Sequence, residues 1–146
     1  MKPYIPLEGT PKAVLVDLDG TAALMNGRRP YDWDRVGEDL PNPPVINTII
    51  ALHTTGHRII FMSGRDGVCI EQTCRWLDEH VPFGNWDLYM RTAGDTRKDS
   101  VVKAELFDAY VRERFDVKFA LDDRDQVVGL WRAMGIPCFQ VAPGSF

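Results

Sequence analysis

One feature limits this chain more than any other: five short apolar runs alternate with stretches whose apolar residues recur every three or four positions. Residues 13–16, 58–65, 86–91, 117–124 and 136–142 have the length and composition of strands. Between them the period and its punctuation predict helices. One covers 43–56, with Asn42 as N-cap and Gly56 as its stop, and the next carries Ile70, Cys74, Leu77 and Val81 on one face. A third covers about 100–114, and a fourth over 126–134 stops at Gly135. Such alternation predicts an α/β fold: a doubly wound, mostly parallel sheet with helices on both faces, Rossmann-like.

At 146 residues the chain suits one domain with a real core. That domain is expected at 12–146. Residues 1–11, with three prolines and no periodicity, read as an extended lead-in, and 17–44 reads as a loop.

In a parallel sheet of this kind, ligands bind beyond the carboxyl ends of the strands. Three polar clusters fall there: "DLDGT" at 17–21, "SGR" at 63–65 and "DDR" at 122–124. They are expected to converge on one edge. Asp17 is a carboxylate able to attack phosphorus and form an aspartyl-phosphate. Asp19, two residues on, is placed to protonate a leaving oxygen and then take a proton from water. Gly20 lets the chain turn sharply, and the Thr21 hydroxyl suits holding Asp19 or a phosphate oxygen. The same letters also fit an Asp-Gly hairpin turn, but the two further clusters at strand ends favour chemistry.

Adjacent Asp122 and Asp123 are costly unless something positive lies beside them. With Asp17 and the backbone carbonyl of Asp19 they offer an oxygen shell of the kind Mg²⁺ takes. Ser63 and Gly64 suit phosphoryl oxygens at a helix N-terminus. Lys103 is a candidate to neutralise the phosphoryl group and the nucleophile, with Asp99, four residues earlier, orienting it. Arg28, Arg65, Arg91 and Arg124 lie near the clusters or strand ends, and guanidinium geometry suits phosphate. Tyr31 and Trp33 read as loop anchors rather than as a stacking site for a base.

The order DxDGT, Ser in "SGR", Lys and "DD" is similar to the signature of the haloacid dehalogenase (HAD) phosphohydrolases. The blocks "MNGRRPYD", "GDTRKDSVVK", "LDDRDQVV" and "FQVAPGSF" resemble, more narrowly, the 3′-phosphatase domain of bacteriophage polynucleotide kinase/phosphatase, over about residues 12–146. That resemblance implies a Mg²⁺-dependent polynucleotide 3′-phosphatase with Asp17 as nucleophile and Asp19 as general acid/base. It puts Ser63 and Lys103 at the phosphoryl group, Arg28 and Arg65 among the active-site cations that bind phosphate or substrate, and Asp99 behind Lys103. Asp122 and Asp123 would hold the metal, one of them through water. Arg91 and Arg124 match positions that help bind the phosphate end. The implied substrates are 3′-phosphates, and often 2′,3′-cyclic phosphates, on DNA or RNA ends, prepared for a ligase. The family's kinase domain carries a P-loop; no G-x-x-x-x-G-K-[ST] occurs here, so no 5′-kinase activity is expected of this chain, and a kinase would be a separate partner. The stretch between "SGR" and "GDTRKDS" is shorter than in the family's best-known member, which implies a minimal cap. The alternative is a HAD phosphatase of a small phosphomonoester such as a nucleotide. A response-regulator-like receiver fits less well, since its acceptor Asp follows a middle strand.

Composition adds exclusions. A formal net charge of −4 argues against a broad basic face coating nucleic acid, though not against gripping a single end. Cys69, Cys74 and Cys138 follow no zinc spacing and read as reduced residues of a cytoplasmic protein. The apolar runs are too short to span a membrane, and the start does not read as a signal peptide.

Overall fold

Strand β1 (Lys12–Val16) is apolar on both sides: Ala13 and Leu15 point to one buried cluster, Val14 and Val16 to another. A continuous apolar run of this kind marks a strand covered on both faces. The computed structural model describes residues 2–146; Met1, the first residue of the expected lead-in, lies outside the described residues. β1 pairs in parallel with β4 (Arg58–Asp66) on one side and β6 (Asp116–Asp122) on the other. β5 (Asp87–Arg91) and β7 (Cys138–Gln140) complete a parallel sheet in the order β5-β4-β1-β6-β7. The chain leaves β1 toward one side and later returns to the other, so a switch point lies at its carboxyl end.

Helices α1 (Pro43–Thr54) and α2 (Ile70–His80) cover one face, packing Ile49, Trp76 and Leu77 on Val14, Val16, Ile59 and Phe61. Helices α3 (Asp99–Tyr110) and α4 (Asp125–Met134) cover the other, setting Phe107, Val127 and Trp131 against Ala13, Leu15, Ile60 and Met62. Each large side chain so buried contributes about 1.5–3 kcal/mol. The expected doubly wound α/β arrangement is therefore present. No separate cap domain stands over the strand ends among the described residues.

Four details differ from the sequence reading. The expected loop 17–44 contains β2 (Ala23–Leu24) and β3 (Leu40–Pro41), paired antiparallel, and a 3₁₀ turn over Trp33–Glu38. Two-residue strands are too short to show a period. Asn42 is the N-cap residue of α1, as expected, but its side chain makes no capping hydrogen bond; its Nδ2 donates to the Thr21 carbonyl (2.8 Å). The helix opens with two prolines, which have no N–H to be capped. The buried face of α2 centres on Thr73, Trp76 and Leu77, while Ile70 is exposed. Helix α3 ends at Tyr110, with 111–114 forming turns.

The described part of the lead-in, 2–11, has no strand or helix, yet Tyr4 ties it down. The Tyr4 hydroxyl donates to the Phe115 carbonyl (2.7 Å) and accepts from the Val117 amide (2.8 Å). The three cysteines are free thiols. Among the described residues no helix is long and apolar enough to cross a membrane.

Candidate active site

The three polar clusters do converge, at adjacent strand ends. Asp17 follows β1, Asp122 ends β6 with Asp123 next, Ser63 and Arg65 lie in β4, and Arg91 ends β5. The Asp17 backbone N–H donates to the Leu121 carbonyl (3.0 Å), which locks the β1 and β6 ends together. One carboxylate oxygen from each of Asp17, Asp122 and Asp123 lies within 4.8 Å of the others, and all three residues are buried.

A single ammonium answers these three carboxylates. Buried Lys103 Nζ donates to Asp17 Oδ1 (2.8 Å) and Asp122 Oδ2 (2.9 Å). The Thr21 hydroxyl lies 3.2 Å from both Asp17 Oδ2 and Asp123 Oδ1, so its one hydrogen serves either. Thr21 thus holds Asp17 and Asp123, not Asp19, and is itself fully buried. Burial and the neighbouring Asp122 push the Asp17 carboxyl well above the usual range, more than Lys103 pulls it down. Asp123 is raised too, by burial first. Lys103 is held upward because Asp122 and Asp17 outweigh its own burial. This cluster carries unrelieved negative charge, and its hard oxygen donors fit a divalent cation such as Mg²⁺. Gly20, at φ +82°, turns the chain here, and any Cβ on it would run into the Asp123 carboxylate.

Asp19 sits in a different setting. Its carboxylate accepts from Arg28 Nη2 (3.0 Å) and from Arg65 Nη2 (2.8 Å) and Nε (3.2 Å). Both guanidiniums are shared with a second, fully buried carboxylate, Asp39. Arg28 Nε and Nη2 grip it at 2.8 and 2.9 Å, and Arg65 Nη2 at 2.8 Å. Trp76 Nε1 fixes the Asp39 carbonyl (2.7 Å), and the Thr73 hydroxyl takes Arg65 Nη1 (3.1 Å). Arg28 Nη1 also donates to the carbonyls of Arg29 (3.2 Å) and Pro30 (3.1 Å), so all five of its N–H groups are used. Arg28 and Arg65, expected among the active-site cations, thus commit their guanidiniums to Asp19 and Asp39. Asp39 was missed by the sequence reading. The signal that points to it is the need of two buried arginines for a counter-charge.

A third group forms the rim. Asp99 opens α3 but makes no ion pair with Lys103 among the described residues. Its carboxylate bridges Arg91 Nη2 (2.7 Å) and Arg124 Nη1 (3.0 Å) instead. Burial opposes its ionisation, but Lys103, Arg124 and Arg91 outweigh that and hold it below the usual range. Arg91 Nε donates to the Gly64 carbonyl (2.8 Å), and Nη1 donates to the carbonyls of Asp95 and Arg97. Arg91 is thus a brace between β4 and the 92–98 loop. A Cβ at Gly64 would collide with the Asp99 carboxylate, so glycine is required for that close approach. Ser63 is not at a helix N-terminus. It is a buried strand residue whose Oγ accepts from the Arg65 amide (3.1 Å), and Asp66 caps the next turn. Arg124 Nε donates to the Phe146 carbonyl (2.9 Å), and its guanidinium lies 5.0 Å from the Phe146 ring. Asp17, Asp19, Ser63, Arg65, Arg91, Asp99, Asp123 and Arg124 all line one open cavity of about 910 Å³.

This architecture is a HAD-like phosphatase fold. The class C acid phosphatase of Bacillus anthracis with tungstate bound superposes with a TM-score of 0.63 at 16% identity, over 93% of this chain and 68% of that one. The chain belongs to the family of polynucleotide kinase PNKP phosphatase domains, whose sequence model matches residues 11–146. By that membership it is a phosphatase enzyme. A chain of the Pnkp1/Rnl/Hen1 RNA repair complex is 40% identical, with a TM-score of 0.91, over 98% of this chain and 46% of that chain. A second structure of the Pnkp1/Rnl/Hen1 complex gives the same identity and TM-score over 100% and 51%. A putative bifunctional polynucleotide kinase/RNA ligase of Autographa californica nuclear polyhedrosis virus is 39% identical over 137 residues, 92% of this chain and 20% of that protein. The chain thus spans about half of those solved chains and a fifth of the viral protein.

Proposed function

We propose that this domain removes 3′-phosphate from polynucleotide ends, and opens 2′,3′-cyclic phosphate ends, through an aspartyl-phosphate on Asp17. The observation that carries the reading is the contrast between neighbours. Asp17 lies in an overcrowded carboxylate cluster that lines the cavity, and Asp19, two residues on, is clamped by two arginines. The names of the relatives, a polynucleotide kinase/RNA ligase and an RNA repair complex, support the substrate class.

Lys103 aims Asp17 with one hydrogen bond, ties it to Asp122 with a second, and opposes the upward push of burial on the Asp17 carboxyl. A carboxylate oxygen of Asp17 attacks phosphorus, the bond from phosphorus to the 3′-oxygen breaks, and Asp19, which enters this step as the protonated acid, gives that oxygen its proton. Water then attacks phosphorus, Asp19 takes its proton, and the bond from Asp17 to phosphorus breaks to release phosphate. Ser63 and Arg124, on the cavity wall, receive the remaining phosphate oxygens. Mg²⁺ held by Asp17, Asp122, Asp123 and the Asp19 carbonyl would supply charge neutralisation for the anionic substrate. Arg28, Arg65 and Asp39 position Asp19, and Asp99 positions Arg91 and Arg124. We take 12–146 as the phosphatase domain with 1–11 as its lead-in, acting beside a 5′-kinase and a ligase.

The test is phosphate release from 3′-phosphorylated RNA and DNA oligonucleotides, with Mg²⁺ and with EDTA. Release that requires Mg²⁺ supports the reading. Hydrolysis restricted to small phosphomonoesters would sink it.

A further inference from the structure

Tyr31 does not behave as the loop anchor that its sequence position suggests. Its side chain is 80% exposed. Trp33 is the anchor, packing against the buried cluster of Val36, Cys69 and Met90. The two rings meet edge to face, 5.9 Å between centroids at 78°, so Trp33 braces a tyrosine that buries little itself. Both rings line the same cavity as Asp17 and Asp19. The backbone before Tyr31 is pinned as well. Arg28 Nη1 holds the carbonyls of Arg29 and Pro30, while Nη2 of the same guanidinium holds Asp19. One buried arginine thus sets both the proton-transfer carboxylate and the segment carrying the exposed ring.

A large, exposed aromatic face braced beside a phosphoryl site suits a flat, apolar ligand portion attached to the phosphate. On a polynucleotide end that portion is the terminal base. We propose that Tyr31, backed by Trp33, is the platform on which the base of the terminal nucleotide stacks while its 3′-phosphate meets Asp17. This rests on the polynucleotide reading above and adds what selects a nucleotide end over a bare phosphomonoester. Stacking of this kind tolerates any base, because every base has a π-face.

The test compares wild type, Tyr31→Ala and Tyr31→Phe by kcat/KM on three substrates. These are a 3′-phosphorylated oligonucleotide, the same oligonucleotide ending in an abasic tetrahydrofuran 3′-phosphate, and glycerol phosphate. Tyr31→Ala should lower kcat/KM on the base-bearing end roughly tenfold, mainly through KM. The loss on the abasic end should be much smaller, and Tyr31→Phe should restore the base-bearing rate. Equal losses on both oligonucleotides, or no loss on either, would overturn the platform. If wild type hydrolyses glycerol phosphate but neither oligonucleotide, the polynucleotide reading falls and the platform with it, a failure visible before any Tyr31 variant is made.

Discussion

Asp17 and Asp19 stand two residues apart and occupy opposite electrostatic settings. On the Asp17 side, three buried carboxylates crowd around one lysine that bonds only Asp17 and Asp122, and burial with mutual repulsion lifts Asp17 and Asp123 above their ordinary range. On the Asp19 side, two carboxylates share two guanidiniums in a closed set of hydrogen bonds. The first half is charged and incomplete, which suits the proposed cation site. The second is neutralised and rigid, which suits the proposed role of Asp19 in proton transfer. The difference comes from side chains that β2–β3 and the strand ends bring in, not from the DxDGT motif alone.

The sharpest way to break this comparison is Asp17→Asn. It should abolish phosphate release by more than about a thousandfold, yet leave stability unchanged or higher, because it removes a charge from an overcrowded cluster. A fall in the urea midpoint would contradict the idea of unrelieved charge there. Asp39→Ala probes the other half. It leaves buried Arg28 and Arg65 with the single carboxylate of Asp19 between them and should cost about 3–5 kcal/mol in urea unfolding, with no recovery on adding Mg²⁺. Smaller and confined to the first half is the effect of Mg²⁺ on wild type. At a hundredfold excess over its Kd it should stabilise by about 2.7 kcal/mol, read as a rise in Tm that EDTA reverses. Asp123→Asn should shrink that rise, and Asp39→Asn should not.

The smallest effect is at the rim. Asp99→Asn should cost about 1.5 kcal/mol at neutral pH, by weakening a charge-assisted bridge between Arg91 and Arg124. The sign of its pH dependence follows from the lowered carboxyl. A depressed folded pKa gives stability that is present above the ordinary value near 4 and lost as pH falls through the lower folded value. Urea midpoints at pH 7 and pH 3 should therefore converge between wild type and Asp99→Asn at the acid end.

Much of this was legible in the sequence for physical reasons. The odd and even residues of 13–16 are all apolar, which only a strand covered on both faces explains, and topology then sends "DLDGT", "SGR" and "DDR" to one edge. Residues whose partners are distant in sequence were not legible. Asp39 reaches Arg65 across 26 residues, and nothing local marks it. Asp99 shares a helix face with Lys103, but Lys103 is drawn into the carboxylate cluster while Arg91 and Arg124 capture Asp99. Spacing proposes neighbours, and the competition among charges chooses partners. The face of α2 shifted for a similar reason: the Trp76 indole is drawn inward by the Asp39 carbonyl, leaving Ile70 outside.

The proposed division of labour between the two carboxylates can be tested on the covalent step itself. An oligonucleotide carrying a ³²P-labelled 3′-phosphate is reacted with the protein and Mg²⁺, quenched in acid, and the label is mapped by peptide. Label is expected on Asp17, with none in the absence of Mg²⁺ and none in Asp17→Asn. Label on another side chain, or undiminished turnover by Asp17→Asn, would contradict that division of labour.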